Sequence, residues 1–257
     1  MRYLYLKLFV VSVTFSALSG CRQKPPALSR IEATQARIDS TLLPDDSLAA
    51  FIRPYHDHVN EVLDAPLAYA PALLSKKDGV LNTSLGNLLA DIVLQESDTL
   101  YRRQAGKNVD FAVLNFGGIR SVISEGPVTE RTSYEVMPFE NTIYVVAMRG
   151  RAIRDLVSFL IQADVPHPIA GLQIELSPDG SLRSVTIGGK PFDEEQTYYV
   201  ATSNYLVGGG DGMGFFRGAT EAVDTGYLIR NAMTDYFKRT DTLRASVDDR
   251  FIKLSGK

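Results

Sequence analysis

Tryptophan is absent from this 257-residue chain, and cysteine occurs once, at Cys21. A single thiol excludes an internal disulfide framework and any cysteine-built metal site. Histidine is scarce too, at His56, His58 and His167. His56 and His58 stand two apart in a helical stretch and would face different sides, a poor chelate. His167, between Pro166 and Pro168, reads as a solvent-exposed loop residue. Two-metal hydrolysis needs several ligands around closely spaced ions, and three scattered histidines do not supply them. No catalytic residue and no metal ligand is therefore assigned in this chain. Nor is there an excess of positive charge, since 27 basic residues against 30 acidic ones leave a net charge of −3. That balance argues against nucleic acid as a partner, because a basic face supplies most of that affinity. Fixed-period repeats, coiled-coil heptads and low-complexity tracts are missing as well.

What is present is ordinary globular composition, 45% hydrophobic and 22% charged, enough to bury a sizeable core. Twelve Tyr and twelve Phe replace the missing tryptophan as surfaces on which a flat ligand could stack.

The first residues stand apart from this. Arg2 and Lys7 precede an apolar run from Leu8 to Leu18 that is signal-peptide length and too short to span a bilayer. It ends in Leu18-Ser19-Gly20-Cys21, which resembles the lipobox of bacterial lipoproteins. That resemblance implies a signal peptide over residues 1–20, lipid modification of Cys21, and a protein anchored to a bacterial membrane, facing the periplasm. Loss of Arg2 and Lys7 would take the net charge from −3 to about −5. Residues 21–45, polar and punctuated by Pro25, Pro26 and Pro44, read as a tether.

From residue 46 the pattern changes. Asp45-Asp46-Ser47 offers an N-cap to a helix carrying Leu48, Phe51, Ile52, Tyr55, Val59 and Val62 at helical spacing. Ala65 to Leu74 reads as a strand. Thr83-Ser84 caps a second helix with a broad apolar stripe from Leu85 to Val93. Strands are predicted at Phe111–Leu114, Ile143–Met148, Leu172–Leu176, Leu182–Ile187 and Tyr198–Thr202. Helices are predicted at Arg151–Gln162 and Leu228–Phe237, with turns at Pro178-Asp179-Gly180 and Gly188-Gly189. This mixture predicts an α+β fold, a single layered α/β domain with mixed sheets.

Three loops carry chemistry. Asn115-Phe116-Gly117-Gly118-Ile119-Arg120 follows a strand, and its two glycines permit a tight turn and close backbone approach. Arg120 then offers a planar fork of donors to phosphate or ribose oxygens; a hairpin turn with a solvated arginine is the other reading. In Pro138-Phe139-Glu140-Asn141 the proline fixes the backbone and aims Phe139. The ring could stack on a base and the Asn141 amide bond its edge, or Phe139 could be core and Asn141 a turn residue. Gly208-Gly209-Gly210-Asp211-Gly212 places four glycines among five residues, a costly choice in conformational entropy. A loop wrapping closely round a ligand would need them. Without a Lys-Ser/Thr ending this run is no phosphate-binding P-loop, and it does not match the dinucleotide fingerprint.

Taken in order, these segments resemble the C-terminal, substrate-binding domain of the 5′-nucleotidases. The resemblance rests on Ser84-Leu85-Gly86-Asn87-Leu88-Leu89-Ala90-Asp91, the Asn115–Arg120 turn, Gly126-Pro127-Val128-Thr129 and Met137-Pro138-Phe139 with Asn141. Gly171-Leu172-Gln173 and Asn204-Tyr205-Leu206 with Gly208–Gly212 complete it. It implies one such domain over residues 46–257. In the family this domain binds the nucleoside part of the substrate. Phe139 and Tyr205 would sandwich the base, and Asn141 would touch its edge. Asn115, Arg120 and Asp211 would hold the ribose or reach toward the phosphate, with Gly171 lining the pocket.

The sequence departs from the family in three ways. Tyr205 stands where phenylalanine is frequent. Leu81 and Asn82 occupy a region that often carries an arginine. The metal-ligand motifs of the family's metallophosphoesterase half, Gly-Asn-His-Glu among them, do not occur in these 257 residues. The resemblance therefore implies a nucleotide- or nucleoside-binding subunit of a split 5′-nucleotidase, serving nucleotide catabolism and inactive by itself. No cofactor is expected in this chain, and divalent metals are expected only in a separate metallophosphoesterase chain. A stand-alone nucleotide-binding lipoprotein, or a structural one, is the alternative.

Overall fold

The computed structural model describes residues 2–18, 28, 30–163 and 165–256. Cys21, with Ser19 and Gly20 before it, lies outside them. By packing, the chain divides into two units, Met1–Phe51 and Ile52–Lys257. The first contains α1 (Arg2–Leu18). No helix among the described residues is long and apolar enough to cross a membrane.

Helix α2 (Asp46–Asp64) runs across the division. Asp45 caps it, its Oδ1 accepting the N–H groups of Ser47 at 2.9 Å and Leu48 at 3.1 Å. The apolar row that marks it as a helix stays exposed, and no residue of α2 is buried.

The packed core begins with β1 (Pro66–Ala70) and α3 (Ser84–Ala105). The strand expected to run on to Leu74 stops at Pro71, which cannot donate to a ladder; Leu74 makes only an isolated bridge to Ile123. Thr83 caps α3 by accepting the Gly86 N–H, and Gly106 ends it at φ +67°. Next come β2 (Phe111–Val113), β3 (Gly126–Thr129), α4 (Glu130–Val136), β4 (Thr142–Arg149) and α5 (Gly150–Gln162). The middle of the chain supplies β5 (Ile169–Ala170), β6 (Leu172–Leu176), β7 (Leu182–Ile187) and β8 (Lys190–Pro191). The last elements are β9 (Thr197–Ser203), α6 (Asn204–Val207), β10 (Glu221–Leu228), α7 (Ile229–Arg239) and β11 (Phe251–Lys253).

The organising layer is a five-stranded mixed sheet in the order β10-β4-β9-β2-β5, with β2 and β9 parallel and the other pairs antiparallel. Alternation along its strands divides the core in two. Ile143, Val145, Ala112 and Ala201 face a cluster with Leu85, Leu88 and Leu89 of α3 and Met233 and Phe237 of α7. Val146, Met148, Phe111, Val113 and Val200 face a second cluster with Ile153, Leu156 and Leu160 of α5 and Ile174 of β6. Helices thus cover both faces. Each Val, Leu, Ile, Met or Phe side chain among them contributes about 1.5–3 kcal/mol on burial. A four-stranded sheet, β11-β6-β7-β8, and the β1–β3 pair complete the domain. Residues 114–120, 137–141 and 208–212 then lie in loops or short turns, and α6 with them, beside the ends of β2, β4 and β9.

Candidate functional site

The Asn115–Arg120 turn is held partly by its own backbone and partly by the end of α4. Gly118 N donates to Asn115 O at 3.1 Å, Ile119 N to Phe116 O at 3.3 Å, and Arg120 N to Val136 O at 2.9 Å. Neither glycine of the turn has a positive φ, and close contact constrains Gly118 more than Gly117. A Cβ on Gly118 would lie 3.1 Å from Asn115 Oδ1, and one on Gly117 would lie 3.5 Å from Asp211 Oδ2. Asn115, itself buried, folds back over the turn and donates from Nδ2 to Asp211 Oδ2 at 2.8 Å.

Asp211 is the one non-glycine residue with positive φ among those described, at +50°. Aspartate tolerates this left-handed conformation better than most residues. Its second carboxylate oxygen accepts the Tyr205 hydroxyl at 2.7 Å. That bond, more than any other influence, raises the tyrosine's pKa. The carboxylate is therefore oriented from both sides by groups on two loops.

The glycine-rich run has a different cause from the one expected. The Tyr205 ring lies against Gly210, where a Cβ would come within 2.4 Å of the ring. The Arg217 guanidinium lies against Gly209, within 2.5 Å of the corresponding position, and donates to Gly208 O at 3.0 Å. These two glycines make room for the chain's own side chains rather than for a ligand.

Phe139, Tyr205, Asn115, Arg120, Asn141 and Asp211 line one cavity of about 330 Å³, together with Gly117 and Gly118. Six of the seven residues singled out from the sequence are thus brought together. The two rings stay 39% and 46% exposed, unlike the core aromatics Phe111 and Phe237, which are fully buried. Arg120 stands 5.7 Å from the Phe139 ring centre, and among the described residues its guanidinium makes one hydrogen bond, a long one of 3.4 Å to Gly117 O. The Asn141 backbone carbonyl accepts the Ile229 N–H at 2.9 Å.

Gly171 is the exception. It lines a separate shallow pocket with Asp91, Asp248 and Arg250. Its φ is +75°, and a Cβ there would lie 2.6 Å from Asp110 O. The glycine serves close approach of β5 and β6 to the β2 backbone, not the ligand cavity.

Several residues that shape the cavity escaped the sequence reading. Lys76 donates to Ile119 O and to Phe116 O, and its Nζ sits 4.2 Å from the centre of the Phe116 ring. Burial first, then the Arg120 charge, holds its ammonium below the usual lysine range. Arg230 of α7, buried and stacked 4.3 Å over Tyr134, donates to the Phe139 carbonyl at 3.4 Å. His167 is buried rather than solvent-exposed, because the Pro166–Pro168 segment turns inward and Pro168 O accepts the Leu114 N–H at 2.9 Å. Asn82, in the region where an arginine was looked for, is structural: its Nδ2 donates to Asp248 O at 2.9 Å and Phe251 O at 3.1 Å.

Chemically the cavity offers two aromatic faces, an amide, a guanidinium and an oriented carboxylate. Such a set suits a flat polar ring carrying hydroxyl and anionic groups. Among the described residues no group of three or more His, Cys, Asp or Glu could hold a metal ion.

Residues 68–218 match the model of the 5′-nucleotidase C-terminal domain. This chain belongs to that family. A 5′-nucleotidase of Vibrio vulnificus is 27% identical over 213 residues, covering 80% of this chain and 36% of its own length. The UshA protein of Yersinia enterocolitica is 25% identical, covering 85% of this chain and 40% of its own length. The chain therefore spans well under half of these relatives. Among solved structures, a 5′-nucleotidase precursor from Thermus thermophilus superposes with a TM-score of 0.67 at 28% identity, over 83% of this chain and 44% of that one. The mixed sheets and flanking helices are those of this C-terminal domain, and the 330 Å³ cavity sits wholly within one copy of it.

Proposed function

We propose that this chain is the nucleotide- or nucleoside-binding subunit of a split 5′-nucleotidase. The observation that carries this reading is the convergence of Asn115, Arg120, Phe139, Asn141, Tyr205 and Asp211 on one cavity. Phe139 and Tyr205 hold the base between them, and Asn141 reads its edge. Asp211, oriented by Asn115 and Tyr205, accepts hydrogen bonds from ribose hydroxyls, and Arg120 meets the phosphate. A separate metallophosphoesterase chain supplies the divalent metals and the hydrolytic water. Cys21 carries the lipid that anchors the subunit to a bacterial membrane facing the periplasm.

Calorimetric titration of the purified protein with adenosine, uridine and AMP tests the binding half of this reading, and phosphate release from AMP tests the rest. Binding is expected, with no turnover from this chain by itself even with added divalent metal. Metal-dependent turnover that survives rigorous removal of contaminating phosphatases would overturn the division of labour. Absence of binding by all three ligands would overturn the reading of the cavity. Changing Cys21 to Ser should release the protein from membranes, since each buried lipid CH₂ contributes about 0.8 kcal/mol. Continued membrane association of that variant would remove Cys21 as the anchor.

A further inference from the structure

His167 is 7% exposed and lies outside the set that lines the cavity, yet it touches the turn from which that set is built. Its Nδ1 faces the backbone N–H of Phe116 at 3.2 Å. Its ring packs at 5.4 Å, tilted by 44°, against Phe159 of α5. Phe116 opens the tight turn that runs to Arg120, and Asn115 just before it holds Asp211. The Phe116 N–H needs an acceptor, and leaving it without one in this part-buried turn is unfavourable.

We propose that His167 is a positioning residue of the ligand cavity, whose neutral ring fixes the Asn115–Arg120 turn by accepting the Phe116 N–H. The proposal rests on the nucleoside-binding reading of that cavity. An imidazole accepting at Nδ1 carries its proton on Nε2. Adding a second proton places an N–H against the Phe116 N–H, so the bond is lost and two donors face each other. The Phe116 end of the turn then moves, and with it the Asn115 amide that orients Asp211.

The surroundings of the ring determine where this happens. Phe159 on α5 is uncharged, as are Pro166 and Pro168 on its own loop. The glycine-rich loop contributes the Asp211 carboxylate, and β2 leads into the Leu114 backbone; both favour the charged ring, but burial outweighs them and lowers the pKa below its ordinary value. The neutral ring therefore persists through neutral pH. Binding is lost on the acid side, below pH ~6.5, the ordinary histidine value.

Nucleoside affinity followed by calorimetry from pH 7.5 down to 5 is the test. A nucleoside is used because the second proton of a phosphate itself titrates near pH ~6. Wild-type affinity should fall toward tenfold per pH unit below the midpoint of the ring. His167→Asn, whose Oδ1 can stand in for Nδ1 and cannot be charged, should bind within about threefold of wild type at pH 7.5 and lose the acid limb. His167→Leu should bind weakly at every pH. In parallel, NMR of the unliganded wild-type protein should show the Phe116 amide shifting with the same midpoint as the His167 ring. A Phe116 amide that ignores the His167 titration overturns the proposal whatever else binds. So does an acid limb that survives unchanged in a folded His167→Asn protein. A coupled amide in a protein that binds no nucleoside at any pH would uphold the histidine's hold on the turn and reject the nucleoside-binding reading instead.

Discussion

Arg250 and Arg120 show how the same side chain serves two ends. Arg250 is 16% exposed, and its donors are committed. It forks Asp91 at 2.9 and 3.1 Å and Asp248 at 2.8 and 3.1 Å, and donates to Ile169 O at 2.7 Å. One residue so ties α3, β5 and the segment before β11 together. Burial is the largest single influence and would lower its pKa, but the hydrogen bonds and charges of two carboxylates together raise it, so the guanidinium stays charged. Arg120 is exposed, with one long bond to a carbonyl and a ring at 5.7 Å. Arg250 is committed to structure, whereas the Arg120 guanidinium lines a cavity that also holds two exposed aromatic rings. The pocket around Arg250 is larger, at about 490 Å³, but its polar groups already satisfy one another.

The largest expected effect tests the first half of that contrast. Arg250→Ala removes the guanidinium shared at the joint and should lower stability by about 2 kcal/mol, the loss of charge-assisted hydrogen bonds, because Asp91 and Asp248 are both about half exposed and can rehydrate. Thermal melting measures the loss. Calorimetry on the variant, below its melting range, should show nucleoside affinity unchanged. A stable Arg250→Ala protein with impaired binding would reverse the assignment of the two arginines.

Phe139→Ala and Tyr205→Ala address the cavity itself. Each should weaken nucleoside binding by ~1–3 kcal/mol, the usual worth of base–aromatic stacking. Both rings are more than a third exposed, so melting should change far less than for Arg250→Ala. If melting drops while binding by the folded fraction holds, the rings are packing and the likeness to nucleotidases is one of fold.

Arg120→Ala should separate ligands. Loss of a charge-assisted contact should weaken AMP by about tenfold, less at high salt, and leave adenosine within twofold. Equal losses for both ligands would make Arg120 a wall of the base site rather than a phosphate contact.

The difference between the arginines also marks what the sequence could reveal. Asp211 and Phe139 were legible because each stands beside glycine or proline, and Arg120 because it follows the Gly117-Gly118 turn by two residues, where local backbone geometry constrains a side chain. Strands β4, β6 and β9 were legible from alternation. The residues that hold the site from behind were not. Arg230 reaches the Phe139 carbonyl across 91 positions, His167 reaches Phe116 across 51, and Lys76 reaches Phe116 across 40. Each acts on backbone atoms, which leave no residue-specific trace in sequence. Strand β10 was missed because it is an edge strand with no fully buried position, so its apolar signal is weak. The glycine run was legible, but the packing of Tyr205 and Arg217 into the space beside Gly210 and Gly209 was not.

The smallest effect is expected from Tyr205→Phe, and it sharpens the contrast most. The ring is kept, so stacking should survive. The lost hydroxyl donates to Asp211 Oδ1 at 2.7 Å, but that oxygen lies in an open cavity where water can replace it. A hydrogen bond exchanged for one to water at an exposed position changes the free energy little. Asp211 keeps the Asn115 amide as its second partner. Adenosine affinity should therefore fall less than threefold, against the larger loss expected for Tyr205→Ala. Comparing adenosine with 2′-deoxyadenosine isolates the carboxylate. If Asp211 reads the ribose and Tyr205 merely steadies it, the ratio of the two affinities should stay the same in Tyr205→Phe. Should Tyr205→Phe cost as much as Tyr205→Ala, with melting unchanged, the hydroxyl rather than the aromatic face holds the ligand. Tyr205 would then belong with the polar readers of the cavity, beside Arg120, and the stacking role would fall to Phe139 alone.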